Sequence, residues 1–363
     1  MLPFNIYSYS VVNGRVDHIN IGSNKVVHIY GSDRLTELPC WPFVEVVECK
    51  DCTELKELPY WPRIKRVDCL NCPKLTELPN WPTIQFVEFK CCTGLIELPN
   101  WQNIREIDGT GCTKLAILPL WLTVSKAIFD HCISLIELPN WPTITKFSCN
   151  YCENLLELPN WPAILNVYCF GCVSLIKLPN WLTIDRVFIG YCKNLRELPI
   201  WPNVTTVGCN GCENLLELPN WQTIKVIDLD NCTQFTCLPN WPSVERVTCY
   251  GCTNLIELPN WDNVERVYCN GCIKLTILPN WGNVEGVHCS GCINLTRLPN
   301  WRYIKHAAID NCISLIYIPF FSSGIISRKS LNCPGLQYPS FCVLVQTDLV
   351  LSDLQPELFV WLK

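Results

Sequence analysis

The chain repeats itself every 20 residues, without an insertion, from Trp41 to about Pro319. Fourteen tryptophans mark the period, from Trp41 and Trp61 through to Trp301. With Trp as position 1, the unit reads W-P-x-[IV]-x-x-V-x-C-x-G-C-x-x-L-x-E-L-P-N. Position 4 is Ile or Val, position 12 is Cys and position 19 is Pro in all fourteen copies. Repetition at this period marks an array whose copies occupy equivalent environments.

The local signals agree with an array of coils. Positions 4 to 9, as in Ile64, Val67 and Cys69, are β-branched-rich and put positions 7 and 9 on one side of a strand. Position 11 is Gly in six copies and Asn in three, which tolerate the positive φ of a sharp exit. Pro at position 19, often joined by Pro at position 2, holds the return segment extended and forbids a regular helix. One such unit buries too little apolar surface to offset the ordering of its backbone. Stacked coils supply that burial and a parallel hydrogen-bond ladder. The expected fold is therefore a β solenoid with few or no helices.

The phrase I-x-x-V-x-C-x-x-C-x-x-L, as in Ile64, Val67, Cys69, Cys72 and Leu75, resembles the leucine-rich repeat signature in its Cys variant. The phrase Gly251 to Pro259 resembles repeats of plant immune receptors. The short period and paired prolines are more similar to bacterial effector repeats and to repeat proteins of large DNA viruses. The resemblance implies a superhelix with a parallel concave sheet, an extended convex side and a role in binding a protein partner. The chain departs from those families in two places. No G-x-x-x-x-G-K-[ST] loop occurs, and only 45 residues follow Ile318, so no helical ligase domain is expected. The triplet Cys49-Lys50-Asp51 falls at a strand-to-turn junction and reads as structural.

The expected organisation is an N-terminal cap over 1–23, repeats over 24–319 and a degenerate repeat with a cap over 320–363. The leading copy has Val27, Ile29, Leu35, Leu38 and Pro39 in register, with Ser32 in place of the position-12 Cys. Cys333, Leu336 and Pro339 read as a slipped copy, and Phe341 to Lys363 as a strand and closing helix.

Twenty-seven cysteines would ordinarily raise the question of zinc or disulfides. Eight copies contain C-x-x-C, from Cys49/Cys52 to Cys289/Cys292. Position 9, however, is filled in the other six copies by Phe89, Gly109, Phe129, Ile189, Leu229 or Ile309, mostly hydrophobes and none a metal ligand, so it is a core slot in which Cys acts as a small hydrophobe. The invariant position-12 Cys stands where the resemblance places a ladder of Asn side chains bonded to the turn backbone. Neither a metal nor a cofactor is expected, and reduced thiols point to a cytoplasmic setting, the host's if the source is a virus or pathogen. The Trp column reads as a packed ladder, and Glu at position 17 (Glu57, Glu77, Glu97, Glu137) as a solvated acidic file.

Function is expected at positions 6, 8 and 10, which vary between copies and face away from the core. Early copies put acid there: Glu48, Asp68, Glu88, Glu106 and Asp108. Later ones offer Tyr168, Phe170, Arg186, Phe188, Arg246, Tyr250, Arg266 and Tyr268, the aromatic and Arg composition of interface hot spots. These eight are the candidate partner-binding residues. The formal net charge of -5 gives no electrostatic case for nucleic acid, and no apolar run of 18 residues exists to cross a membrane. Five histidines include His288 and His306 on adjacent copies, but no carboxylate or nucleophile pairs with them in the sequence pattern, so no enzyme is expected. The alternatives are a structural or particle-packaged repeat protein and a metal-binding cysteine-rich one.

Overall fold

In one coil, Trp161, Ile164, Val167, Cys169, Cys172, Leu175 and Leu178 are all buried. Positions 1, 4, 7, 9, 12, 15 and 18 thus point inward. The computed structural model describes residues 11, 12, 15, 16, 25–31, 33–319, 321, 325–327, 332–334 and 336. The chain divides into two compact units, Met1–Trp221 and Gln222–Lys363.

The first unit opens with the antiparallel pair Val11–Val12 and Arg15–Val16. Parallel strands follow, one per repeat: Val26–Tyr30, Val46–Lys50 and Arg66–Leu70, then three-residue strands from Phe86–Glu88 to Thr206–Gly208. Up to Arg186–Phe188, each pairs in register with the residue 20 places on, as Asn166 with Arg186 and Tyr168 with Phe188. The second unit continues the pattern from Val226–Asp228 to His306–Ala308 and adds Ile325–Ser327. There Ile325 pairs with His306, one residue short of the period. No helix occurs among the described residues.

Most strands cover only positions 6 to 8, less than the stretch of positions 4 to 9 that the sequence favours. The backbone explains the difference. The position-5 carbonyl accepts from two successive amides of the next coil, as Lys65 O does from Gln85 N (2.9 Å) and Phe86 N (3.1 Å), which breaks the regular ladder before position 6. At the other end, position 11 has positive φ in every full copy, from 55° at Asn71 to 78° at Gly111.

Glycine at position 11 also makes room. The Tyr151 ring lies over Gly171, where an added Cβ would stand 2.7 Å from ring carbon Cδ1. Gly271, with nearly the same φ of 71°, has only ordinary neighbours at 3.8 Å. Gly171→Ala should therefore lower stability by the roughly 1–2 kcal/mol of a left-handed non-glycine residue and by a further steric cost. Gly271→Ala should show the conformational cost alone. Thermal unfolding of the two variants checks this, and equal losses would remove the steric part.

Tryptophan forms the ladder that the sequence predicts. The indoles of the first unit stack from Trp41 to Trp221, and most neighbouring centroids lie 5.7 to 6.3 Å apart. From Trp61 to Trp221 each indole N–H donates to the carbonyl of the Pro 22 residues back, as Trp161 Nε1 to Pro139 O at 2.9 Å. A buried Trp needs such an acceptor. Trp41 is 5% exposed and the others have essentially no accessible surface, so the column offers no binding stripe.

Of the expected caps, only the hairpin at Val11–Val12 and Arg15–Val16 is described; the rest of 1–23, Ser32, Pro339 and the segment 341–363 lie outside the described residues. Cys333 is buried and donates to Ile309 O at 3.4 Å, and Leu336 N bonds Cys333 O.

Candidate functional site

Positions 6, 8 and 10 alternate with the buried positions 7 and 9, so their side chains occupy the outer face of each sheet. In the first unit, Tyr168 and Phe188 stand in register and stack at 5.2 Å with 9° between the rings. Lys146 Nζ sits 5.6 Å from the Tyr168 ring centroid, a cation–π distance. Arg186 is exposed beside them and leans toward Asp185 at 3.5 Å. Burial pushes the Tyr168 phenol upward.

Phe170 belongs to a second group. Its ring meets Tyr151 edge-on at 5.4 Å and Tyr191 tilted at 5.0 Å, and His131 stacks on Tyr151 at 4.6 Å. Tyr151, Tyr191 and His131 occupy position 11 and escaped the sequence reading as turn residues. Their signal was chemical: bulky rings at φ near 59° are uncommon where Gly or Asn is favoured.

Four of these rings, Tyr151, Phe170, Phe188 and Tyr191, approach a glycine of the next coil. An added Cβ would come within 2.9 Å of the Phe170 ring at Gly190 and 3.0 Å of the Phe188 ring at Gly208. Tyr191 covers Gly211 in the same way, at 2.9 Å. The result is an aromatic floor beside Lys146 and Arg186, with Tyr168 and Phe188 face to face and Phe170 tilted against Tyr151 and Tyr191.

In the second unit, Arg246 and Arg266 stand in register at position 6. Tyr268 lies between Tyr250, at 6.1 Å, and His288, at 4.8 Å. The Tyr250 hydroxyl is enclosed without a hydrogen-bond partner. Two carboxylates lie on the same face: Asp228 Oδ1 accepts from Asp230 N (3.1 Å) and Asp230 Oδ1 from Tyr250 N (2.8 Å). Burial, and then the Asp228 charge, pushes Asp230 up to about 7. Burial and then His306 hold the His288 imidazole below its usual value.

The acidic file of the early copies is largely neutralised within the sheet. Lys50 reaches Asp68 (3.3 Å) and Glu48 (3.7 Å), Lys90 reaches Asp108 (3.0 Å) and Glu88 (3.4 Å), and Arg66 reaches Glu88 at 2.8 Å. Glu48 also meets His28 at 2.9 Å, and Glu106 meets Lys126 at 3.5 Å. This stretch is a laced surface with little free charge.

Both cysteine columns are buried. Cys149 Sγ lies 3.2 Å from Cys169 Sγ and 4.0 Å from Cys172 Sγ. Among the described residues, no group of three or more His, Cys, Asp or Glu is arranged to hold a metal ion. Cys49 is fully buried at the start of the Cys49-Lys50-Asp51 triplet. The position-12 thiol instead bonds the neighbouring turn: Cys172 Sγ donates to Cys149 O, Cys192 to Cys169 O and Cys272 to Cys249 O, each at 3.0 Å. A side chain at this position, bonded to the backbone of the coil before it and followed by inward Leu at positions 15 and 18, decides the fold. It is a leucine-rich repeat solenoid.

No family model matches the chain, and no curated protein matches it. Among solved structures, it is similar to a leucine-rich repeat protein from Bacteroides ovatus, at 14% identity and TM-score 0.41, over 83% of this chain and 88% of that one. A leucine-rich repeat protein from Eubacterium ventriosum gives 15% identity and TM-score 0.39, over 88% and 85%. A leucine rich cell surface protein from Faecalibacterium prausnitzii gives 12% and 0.29, over 92% and 89%. Likenesses this distant add no weight to the fold, which rests on the coil geometry of the chain itself. In this leucine-rich repeat fold, no helix of the described residues is long and apolar enough to cross a membrane.

Proposed function

We propose that the chain is a non-enzymatic protein-interaction scaffold and that the outer face of its sheet binds a protein partner. The observation carrying this reading is the aromatic floor of the first unit, with Tyr168 stacked on Phe188 and flanked by Lys146 and Arg186. Aromatic and Arg side chains supply most of the energy of known interfaces, and rings already packed against one another lose little entropy when a partner covers them. Lys146 and Arg186 favour acidic side chains on that partner. Phe170 with Tyr151 and Tyr191 extends the same floor. Arg246, Arg266, Tyr250 and Tyr268 make a second surface of similar chemistry on the other unit. The 23 buried free thiols among the described residues fit a reducing compartment such as the cytoplasm.

The test is affinity capture from the natural cell with quantitative mass spectrometry, comparing the wild type with Tyr168→Ser/Phe188→Ser. Each hot-spot truncation costs about 2 kcal/mol or more, so at least one captured protein should fall by tenfold or more. The variant should keep its thermal midpoint within a few degrees. Capture unchanged by the double substitution would sink the assignment.

A further inference from the structure

Position 16 of the repeat turns aliphatic side chains to solvent along the return segment. In the first unit these are Ile96, Ile136, Leu156, Ile176 and Leu216, each 48 to 64% exposed. One exposed Leu needs no explanation, but a file of them does. Backbone bonds space the file: Ile176 N donates to Leu156 O (3.1 Å), Leu216 N to Arg196 O (3.3 Å) and Ala116 N to Ile96 O (3.3 Å). Neighbouring side chains thus stand one coil apart.

Acid runs beside this file. Position 17 carries exposed Glu97, Glu137, Glu157, Glu197 and Glu217. Glu157 pairs with Lys177 at 2.7 Å, and no ion pair engages the other four among the described residues. An open groove of about 290 Å³, lined by Ile176, Asn194, Arg196 and Asn214, lies along it.

We propose that this edge of the first unit is a docking site for a basic amphipathic α-helix, independent of the sheet-face reading above. The helix lies along the file, its apolar stripe on Ile136, Leu156 and Ile176 and, beyond Arg196, on Leu216, with its Lys and Arg side chains over Glu137, Glu157, Glu197 and Glu217. Spacing favours a helix over a strand. Coils stack about 4.8 Å apart and a helix presents the same face every 5.4 Å, so the mismatch over four coils is only about half a spacing. An extended strand presents the same face every 6.6–6.8 Å or so and loses register within two or three coils. The glutamates also select against an anionic lipid surface, which would otherwise suit an exposed aliphatic file.

A synthetic 14-residue peptide of Leu and Lys, with Leu at helical i, i+3, i+4 spacing and a terminal fluorophore, is the probe. With the full chain at physiological salt, it should show saturable anisotropy and a gain of helical circular dichroism. Ile136→Ser/Leu156→Ser/Ile176→Ser keeps the formal net charge at -5 and should weaken binding tenfold or more. Glu137→Lys/Glu217→Lys should do likewise, which keeps the proposal testable if the triple variant misfolds. A scrambled peptide of equal composition should bind at least tenfold more weakly. Binding of the periodic peptide that is absent, matched by the scrambled one, or unchanged in a folded variant overturns the proposal.

Discussion

Trp161→Ala is expected to lower stability by about 3–5 kcal/mol, the range for truncating a large buried aromatic. Trp161 is 1% exposed and lies between Trp141 at 5.9 Å and Trp181 at 6.3 Å, nearly parallel to both. Phe147 packs on it at 4.7 Å, and its N–H bonds Pro139 O. Alanine leaves a hole that touches three rings. In a one-dimensional array, coils are coupled only through their neighbours, so such a lesion should also split a single unfolding transition in two. Trp161→Phe should cost less, about 1–2 kcal/mol, because a ring remains and only one hydrogen bond is lost. Pro139 O keeps the Trp141 backbone amide at 3.0 Å. Denaturant titration followed by far-ultraviolet circular dichroism measures all three chains. An alanine variant within 1 kcal/mol of wild type would show that the ladder is decorative.

Thiol reactivity should separate the cysteines into two sharply different classes. Cys40, Cys91 and Cys237 are exposed and should label within minutes in native protein. The other 23 described cysteines are buried and should react only as fast as their coils open. For openings that approach the global stability of an ordinary domain, that slows reaction by roughly a thousandfold or more. Raising the pH to 9 should not remove the gap. Burial pushes Cys112 up to about 12 and holds Cys149 and Cys169 well above the ordinary thiol range, so none of these becomes a thiolate there. Mass spectrometry after timed alkylation counts the classes. Rapid native labelling at Cys112, Cys149 or Cys169 would contradict the packed columns.

The fold was legible because each constraint is written many times over. Hydrophobes at positions 4, 7, 9, 15 and 18 and a turn residue at position 11 define a coil, and twenty-residue spacing stacks it. The acceptors of the indole N–H groups were not legible, since a proline carbonyl leaves no mark in a sequence. The neutralisation of Asp68 by Lys50, and of Asp108 by Lys90, pairs position 8 with position 10 of the preceding coil and emerges only once the columns are aligned. The same holds for the aromatic floor. Tyr151 before Gly171, Phe170 before Gly190, Phe188 before Gly208 and Tyr191 before Gly211 form one rule, a ring followed twenty residues later by glycine. Read along a single repeat, those glycines look like ordinary variation. Read down the columns, they leave room for the rings of the coil before.

The stacked indoles also give the molecule an optical character. Light absorbed by Trp121 finds identical rings at 6.2 Å and 5.7 Å, held nearly parallel, so excitation passes readily from coil to coil before it is emitted. Emission from the first unit therefore belongs to the column and not to any one residue, and a quencher seated at one coil would darken its neighbours as well. The ladder that closes the core is at the same time a built-in reporter, sensitive along its length to whatever docks on or breaks a single coil.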